Sequence, residues 1–301
     1  MRIKVKNRFI NELQWYSFLL PSIICLVVMT YMPTFTSLKY SFYKVSVIGF
    51  GEKFIGLKNY EVLLNSTGFY RSLANTIILV LLGYIVIPSG FIIASLINSM
   101  GRNKLQSFFR VGFYIPNIIT GVSVILLFRY ILLQNGGLLN SGLSLLTGEN
   151  VTIGWLVDPK ISKVGMSIMG IWAGLGYNML VCLAGLQSIP HEIYESASVD
   201  GCNGIKKWWY ITTPNMMGTF VFLFITSTIS GFARFTDLFI ISNNSAAGGV
   251  GASLQSLLMY VYQYSFVSPN YGLSSAGVMI LFVIVFTATL INLHFTKLLK
   301  E

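Results

Sequence analysis

Long stretches without a charged side chain constrain this sequence more than any other feature. The apolar intervals that lack Asp, Glu, Lys and Arg are 13–38, 72–101, 111–128, 164–191, 208–233 and 238–296. A helix needs about 20 apolar residues to cross the ~30 Å hydrocarbon layer of a bilayer, so each of the first five intervals fits one crossing. Charged residues make up only 10% of the chain, whereas soluble domains carry about 25%. The chain is therefore expected to be a membrane protein.

The sixth interval is too long for one crossing. Its first part, 241–253, has the Asn, Ser and Gly composition of a loop, which places the last span near 273–293. Two shorter apolar stretches, 130–148 and 254–264, are interpreted as packed external segments, because one is rich in Gly and Asn and the other is too short to cross. The sequence thus predicts an all-α polytopic membrane protein with six transmembrane helices.

The basic residues predict how the spans are oriented. Dense clusters at 2–8 and 102–110 favour cytoplasmic termini, because short cytoplasmic loops are enriched in Lys and Arg. The net charge of +10 is spread in small groups beside apolar runs, so it favours membrane topology over binding of nucleic acid. The expected segments are listed here in chain order: a cytoplasmic segment 1–15, a first helix 16–38, an external loop 39–71, a core of five helices 72–296 and a cytoplasmic tail 297–301.

The most polar short loop between two spans is 187–214, which we call the coupling loop. Ser188 can cap a helix at its start, and Gly201 can end that helix. A second helical piece is expected over 205–211. Two short helices joined by a glycine turn would offer helix faces to a groove on a cytoplasmic partner.

The coupling loop resembles a known signature, E-A-A-x-x-x-G-x(9)-I-x-L-P, of permease subunits of bacterial binding-protein-dependent ABC importers. Here it reads Glu195-Ser196-Ala197, then Gly201, then Ile211-Thr212-Thr213-Pro214. Ser196 replaces an alanine and Thr213 a leucine; both changes are small. The resemblance implies the following residues for docking a cytoplasmic ATPase: Glu195, Ser196, Ala197, Asp200, Gly201, Ile211 and Pro214.

The resemblance extends along almost the whole chain and is similar to the carbohydrate-uptake branch that includes maltose and glycerol-3-phosphate permeases. The segment 54–60 is similar to the start of their core, and 154–159 matches their external W-L-x-D-P turn. Val250 stands where those permeases have the proline of a G-G-P turn. The resemblance implies a type I ABC importer permease fold in the bacterial cytoplasmic membrane and import of a carbohydrate, most simply an oligosaccharide.

The sequence contains no G-x-x-x-x-G-K-[ST] phosphate loop, so the chain is expected to be a pathway subunit and not an ATPase. The family resemblance implies two copies of a cytoplasmic ATPase, which would bind ATP and Mg. It also implies a second permease subunit and an extracellular or periplasmic solute-binding protein. No cofactor or metal is expected in this chain itself.

Polar groups and glycines within the spans point to a solute pathway. The candidate pathway residues are Trp172, Gly174, Tyr177, Asn178, Ser227, Gly231 and Arg234. The Gly170-x-x-x-Gly174 spacing has two interpretations, close helix packing or a pathway wall. Arg234 has three interpretations: it pairs with Asp237 three residues on, it snorkels toward the membrane surface, or it faces an acidic group of the solute.

Other functions are weighed against carbohydrate import. The same class of permease could carry a non-sugar or acidic solute. An ion-coupled secondary transporter would place carboxylates or histidines within its helices, and these spans carry no carboxylate. A membrane enzyme would need a nucleophile and base or clustered metal ligands, and no such constellation is evident in the sequence.

Overall fold

The computed structural model describes residues 16, 18–45, 51–101, 103–119 and 121–298. The predicted segment 1–15 and the last three residues of the predicted tail lie outside this range. The helices in chain order are α1 (Phe18–Ser41), α2 (Lys58–Leu64), α3 (Thr67–Gly83), α4 (Val86–Ser99), α5 (Lys104–Ile118), α6 (Gly121–Ile131), α7 (Leu138–Thr147), α8 (Ser162–Gln187), α9 (His191–Val199), α10 (Gly204–Asn215), α11 (Met217–Phe232), α12 (Thr236–Ile241), α13 (Leu257–Tyr262) and α14 (Tyr271–Leu298). Two short strands, β1 (Tyr43–Lys44) and β2 (Lys53–Phe54), pair antiparallel.

By length and composition, four helices can cross a membrane: α1, α3 with α4, α8 and α14. Two further spans are bent pairs, α5 with α6 at 97° and α10 with α11 at 61°, and counting each pair as one span gives six. The all-α polytopic fold with six candidate spans agrees with the sequence prediction. The stretches 111–128 and 208–233, in contrast, are not single straight helices.

Each bent pair contains a proline close to its bend. Pro116 lies near the end of α5, and a proline removes a backbone donor and crowds the carbonyl four residues earlier. Pro214 lies in the last turn of α10, after a π-helical turn at Trp208–Thr212. Since a π turn shifts the bonding by one residue, the helix accommodates the proline before the chain bends at Met216.

The helix ends extend beyond the charge-free intervals. α1 continues to Ser41 and includes Lys39, and α3 begins at Thr67, where the Ser66 hydroxyl accepts from the Phe69 N–H at 3.4 Å. Arg71 therefore lies within α3, and its Nη1 donates to the Gly251 carbonyl at 3.4 Å. A charge near a helix end can reach polar groups outside the hydrocarbon, so charge-free length underestimates the helix.

The chain divides into two units, the described parts of 1–65 with 264–280 and those of 66–263 with 281–301. In the first unit, Asn59 Nδ2 donates to the carbonyls of Ser41 and Tyr43, both at 2.9 Å. A Cβ at Gly272 would lie 2.1 Å from the Tyr43 carbonyl oxygen. These contacts fix the β1 strand against the residues around it.

In the second unit, α8 packs closely against α4 and α5. A Cβ at Gly90 of α4 would lie 2.8 Å from the Asn178 Cβ, and one at Gly176 would lie 2.3 Å from the Phe113 carbonyl oxygen of α5. Two apolar clusters flank α8, one around Met166 and the other around Met179. The two predicted external segments contain α7 and α13, ten and six residues long, both too short to cross.

Candidate functional site

A cavity of about 460 Å³ lies between α3, α8 and α11, and we call it the α8–α11 cavity. Its volume falls within the ~300–1,000 Å³ typical of ligand sites. Six of the seven predicted pathway residues line it: Gly174, Tyr177, Asn178, Ser227, Gly231 and Arg234. The structure therefore brings together side chains from α8 and from the end of α11 that are about 50 residues apart in sequence.

Asn178 provides the most buried polar group of this cavity, with 5% of the residue exposed. Its Nδ2 donates to the Gly174 carbonyl at 2.9 Å. Its Oδ1 is buried and makes no hydrogen bond within the described part of the chain. A buried acceptor without a donor costs about 1–3 kcal/mol, and this oxygen has almost no accessible surface in the structure.

Three glycines in the middle of α8, Gly170, Gly174 and Gly176, differ in their surroundings. Gly170 and Gly174 line the α8–α11 cavity, and Cβ atoms there would approach only side-chain atoms, at 3.4 Å or more. Gly176 is the glycine that packs against another helix backbone, as described above. The Gly170-x-x-x-Gly174 pair thus lines the cavity. The glycine that permits close packing with α5 is Gly176.

Trp172 lies apart from the other predicted pathway residues. Its ring contacts Phe128, with centroids 5.2 Å apart. It lines a different pocket, formed mostly by α5. The pathway prediction missed several cavity residues, among them the polar side chains of Asn117 and Thr226. Asn117 could have been found from the sequence, because its amide lies inside the apolar interval 111–128.

Arg234 pairs with Asp237, as one of the interpretations of the sequence expects. Its Nε lies 2.5 Å from Asp237 Oδ2, and its Nη2 donates to the Met166 carbonyl at 2.7 Å. The two side chains are only 16% and 18% exposed. Arg234 lines both the α8–α11 cavity and a second cavity of about 640 Å³ that also includes Asp237. The guanidinium therefore lies next to both cavities with its charge largely neutralised.

The first half of the coupling loop is the helix α9 and its glycine turn. The Cys202 N–H bonds the Ala197 carbonyl at 3.0 Å and the Gly201 N–H bonds the Ser198 carbonyl at 3.2 Å, which is the Schellman arrangement at a helix C-terminus. Gly201 has φ +76°. The predicted glycine break is therefore present. Of the predicted docking residues, Glu195, Ser196, Asp200 and Gly201 are exposed and Ala197 is buried.

The expected cap of α9 is wrong. Pro190 is the N-cap and no side chain caps the helix. The Ser188 hydroxyl instead donates to the Gly185 carbonyl at 2.7 Å and lies at the C-terminal end of α8. The reason is local, because Pro190 already holds the extended backbone that an N-cap position needs.

The second half of the coupling loop is α10, which is longer than the predicted 205–211. The Tyr194 and Thr212 hydroxyls lie 3.0 Å apart and join α9 to α10, and Lys207 Nζ donates to the Ser198 hydroxyl. Ile211 is half-buried, and Pro214 is exposed within the helix instead of ending it. The two helices form one cross-linked knob.

A cavity with a buried amide and hydroxyl groups, set among helices long enough to cross a bilayer, defines this protein as a membrane transport component. Within the described residues, no group of three or more His, Cys, Asp or Glu could hold a metal ion. Residues 86–301 match the family model described as "Binding-protein-dependent transport system inner membrane component". The chain belongs to this family.

Two bacterial permeases match this chain over nearly its full length. The multiple sugar-binding transport system permease protein MsmF of Streptococcus mutans is 29% identical, covering 97% of this chain and 98% of that protein. The arabinooligosaccharides transport system permease protein AraP of Bacillus subtilis is 30% identical, covering 95% and 89%. A chain of the bacterial alginate ABC transporter, crystallised with an alginate pentasaccharide-bound periplasmic protein, aligns with a TM-score of 0.81 at 21% identity, covering 98% of each chain. The family match and this likeness confirm the type I permease fold.

Proposed function

We propose that the chain is the permease subunit of an ATP-driven importer that moves a carbohydrate, specifically an oligosaccharide, from a solute-binding protein into the cytoplasm. The α8–α11 cavity carries this proposal. The Tyr177 ring, the Asn178 amide and the Ser227 hydroxyl line it together, and apolar rings with a few placed hydrogen-bonding groups are the usual composition of a small-molecule site. The names of MsmF and AraP, which refer to sugars, support the same substrate class.

The coupling loop is the proposed docking surface for the ATPase. Its most exposed apolar side chains are Val199, Ile205 and Tyr210, at 89%, 74% and 78% exposure, and Trp209 follows at 59%. Exposed carboxylates at Glu195 and Asp200 lie beside them. An apolar surface with a charged margin is typical of a surface that binds another protein. The partner ATPase would bind ATP and Mg and supply the energy.

The assembly proposed around this chain has further members. A second permease subunit would complete the pathway, two ATPase copies would act from the cytoplasm, and a solute-binding protein would deliver the solute from outside. In this arrangement both termini and the coupling loop face the cytoplasm. The supporting observation is the basic cluster 102–110, placed by the positive-inside tendency of short loops.

The charge of the cavity favours a neutral sugar. Arg234 is the only Lys or Arg among the residues lining the α8–α11 cavity that the structure describes. Its charge is balanced by Asp237 at 2.5 Å, so the guanidinium is already paired. This side chain therefore does not offer the free cationic site that an acidic solute would require.

The proposal is tested by uptake into proteoliposomes that contain the complete complex, with its solute-binding protein and ATP. We expect uptake of neutral oligosaccharides and at least about tenfold lower uptake with Tyr177→Leu, because the ring that would stack on a sugar is lost. Tyr130→Leu removes an exposed ring outside the cavity and serves as the matched control. Uptake of amino acids or inorganic ions without any sugar, or equal effects of the two variants, would overturn the proposal.

A further inference from the structure

Trp208 of the coupling loop contacts the membrane helix α4, one end of which lines the α8–α11 cavity. Its indole Nε1 donates to the Ser95 hydroxyl of α4 at 2.9 Å. Its ring stacks on the Phe91 ring, with centroids 5.0 Å apart and planes 20° apart. The other side-chain hydrogen bonds described above for α9 and α10 join residues within the loop or beside it, whereas this contact reaches a different membrane helix.

The helix that Trp208 touches is packed against the cavity. Phe91 is 4% exposed and follows Gly90, where α4 meets the backbone of Asn178 so closely that a Cβ would lie 2.8 Å from the Asn178 Cβ. Val86 lines the cavity together with Asn178. Five residues of helix, about 7.5 Å, separate Phe91 from Val86. A displacement of Phe91 would therefore move the cavity wall, because a packed helix moves as a rigid element.

The two helices of the knob are held together and can transmit a displacement. The Tyr194–Thr212 and Lys207–Ser198 hydrogen bonds tie α9 to α10, so movement of the docking surface carries Trp208 with it. The Trp208 ring is half-buried, while the neighbouring Trp209 is 59% exposed. The two tryptophans therefore differ in environment although they are adjacent in sequence.

We propose that Trp208 is the positioning residue that transmits closure of the ATPase to α4 and through it to the α8–α11 cavity. This inference rests on the proposed function. It separates two roles within one loop, since the exposed carboxylates and apolar groups dock the ATPase and the half-buried indole passes the movement on. Loss of the indole should leave docking in place and uncouple the cavity from it.

The test uses the complete complex in nanodiscs, with a cysteine reporter in the cavity. Ser230→Cys is introduced into a chain whose native cysteines, Cys25, Cys182 and Cys202, are replaced, and its rate of labelling by a membrane-impermeant maleimide is measured with and without ATP and vanadate. We expect Trp208→Leu to reduce the ATP-induced change in rate by about tenfold, equivalent to about 1.4 kcal/mol. The ATPase should still copurify at the wild-type amount.

Three variants make the result specific. Trp208→Phe keeps a stacking ring and should retain most of the change in labelling rate, whereas Ser95→Ala removes the acceptor alone and should lose part of it. Tyr130→Leu, whose exposed ring lies outside both the coupling loop and the cavity, should match the wild type. An undiminished response in Trp208→Leu would overturn the inference, and so would loss of ATPase copurification, which would make Trp208 a docking residue. If even the wild-type complex shows no response to ATP and vanadate, the proposed function fails instead.

Discussion

Gly201→Ala should destabilise the turn at the end of α9 and so weaken docking of the ATPase. Gly201 has φ +76° and lies in the Schellman turn that ends α9. A Cβ there would meet no atom within 4 Å, so the substitution introduces no clash. Its effect comes from the backbone alone, because an L-residue in the left-handed region costs about 1–2 kcal/mol. The equilibrium constant for forming this turn should fall by about 5–30-fold.

Titration of the permease complex with its ATPase subunit measures this effect. We expect the apparent dissociation constant to rise for Gly201→Ala, with about 5–30-fold as the upper limit, and to rise less for Gly201→Asn, because asparagine tolerates the left-handed region. Gly204→Ala is the matched control, since Gly204 also has open space around it but begins the helix α10. Unchanged binding by Gly201→Ala would refute the reasoning that the shape of this turn sets docking.

Two further predictions concern the membrane helices. Arg234→Gln should weaken uptake of a neutral sugar, because it leaves the largely buried Asp237 without its partner at a cost of about 2–5 kcal/mol. Uptake assays check this, and Arg234→Gln combined with Asp237→Asn should recover part of the loss. Undiminished uptake of the neutral sugar by Arg234→Gln would contradict the structural role of the pair. Gly176→Ala should lower the thermal midpoint of the detergent-solubilised complex, because its Cβ would lie 2.3 Å from the Phe113 carbonyl and overpacking costs about 1–3 kcal/mol. Gly112→Ala, where a Cβ meets nothing within 4 Å, should not lower it, and equal midpoints for the two variants would contradict the packing argument.

The spans could be predicted from the sequence because the thickness of the bilayer sets one length for every crossing. The bends could not, since charge-free length does not report where a helix breaks. Pro116 and Pro214 were visible in the sequence, but whether a proline kinks, ends or is absorbed by a helix depends on a π turn such as Trp208–Thr212. The start of α3 at Thr67 was missed for a related reason, because Arg71 interrupts the interval without interrupting the helix.

The site could be predicted in part. On a helix, residues 170, 174, 177 and 178 lie on one face, whereas Trp172 is about 200° from Gly174. Helical spacing alone thus accounts for Trp172 lying outside the cavity. The Gly201 turn was predictable because only glycine takes that conformation freely. The contact between Trp208 and α4 was not, since it joins residues 113 positions apart in the sequence.

The most direct measurement of the central claim is the energy source of uptake. Proteoliposomes containing this chain, a second permease subunit, the ATPase and the solute-binding protein are loaded with ATP or left without it, and uptake of a labelled neutral oligosaccharide is followed with and without an ion gradient. We predict uptake that requires internal ATP, does not respond to the ion gradient and is abolished by Glu195→Lys while the chain remains in the membrane. Uptake driven by an ion gradient in the absence of ATP would contradict the account.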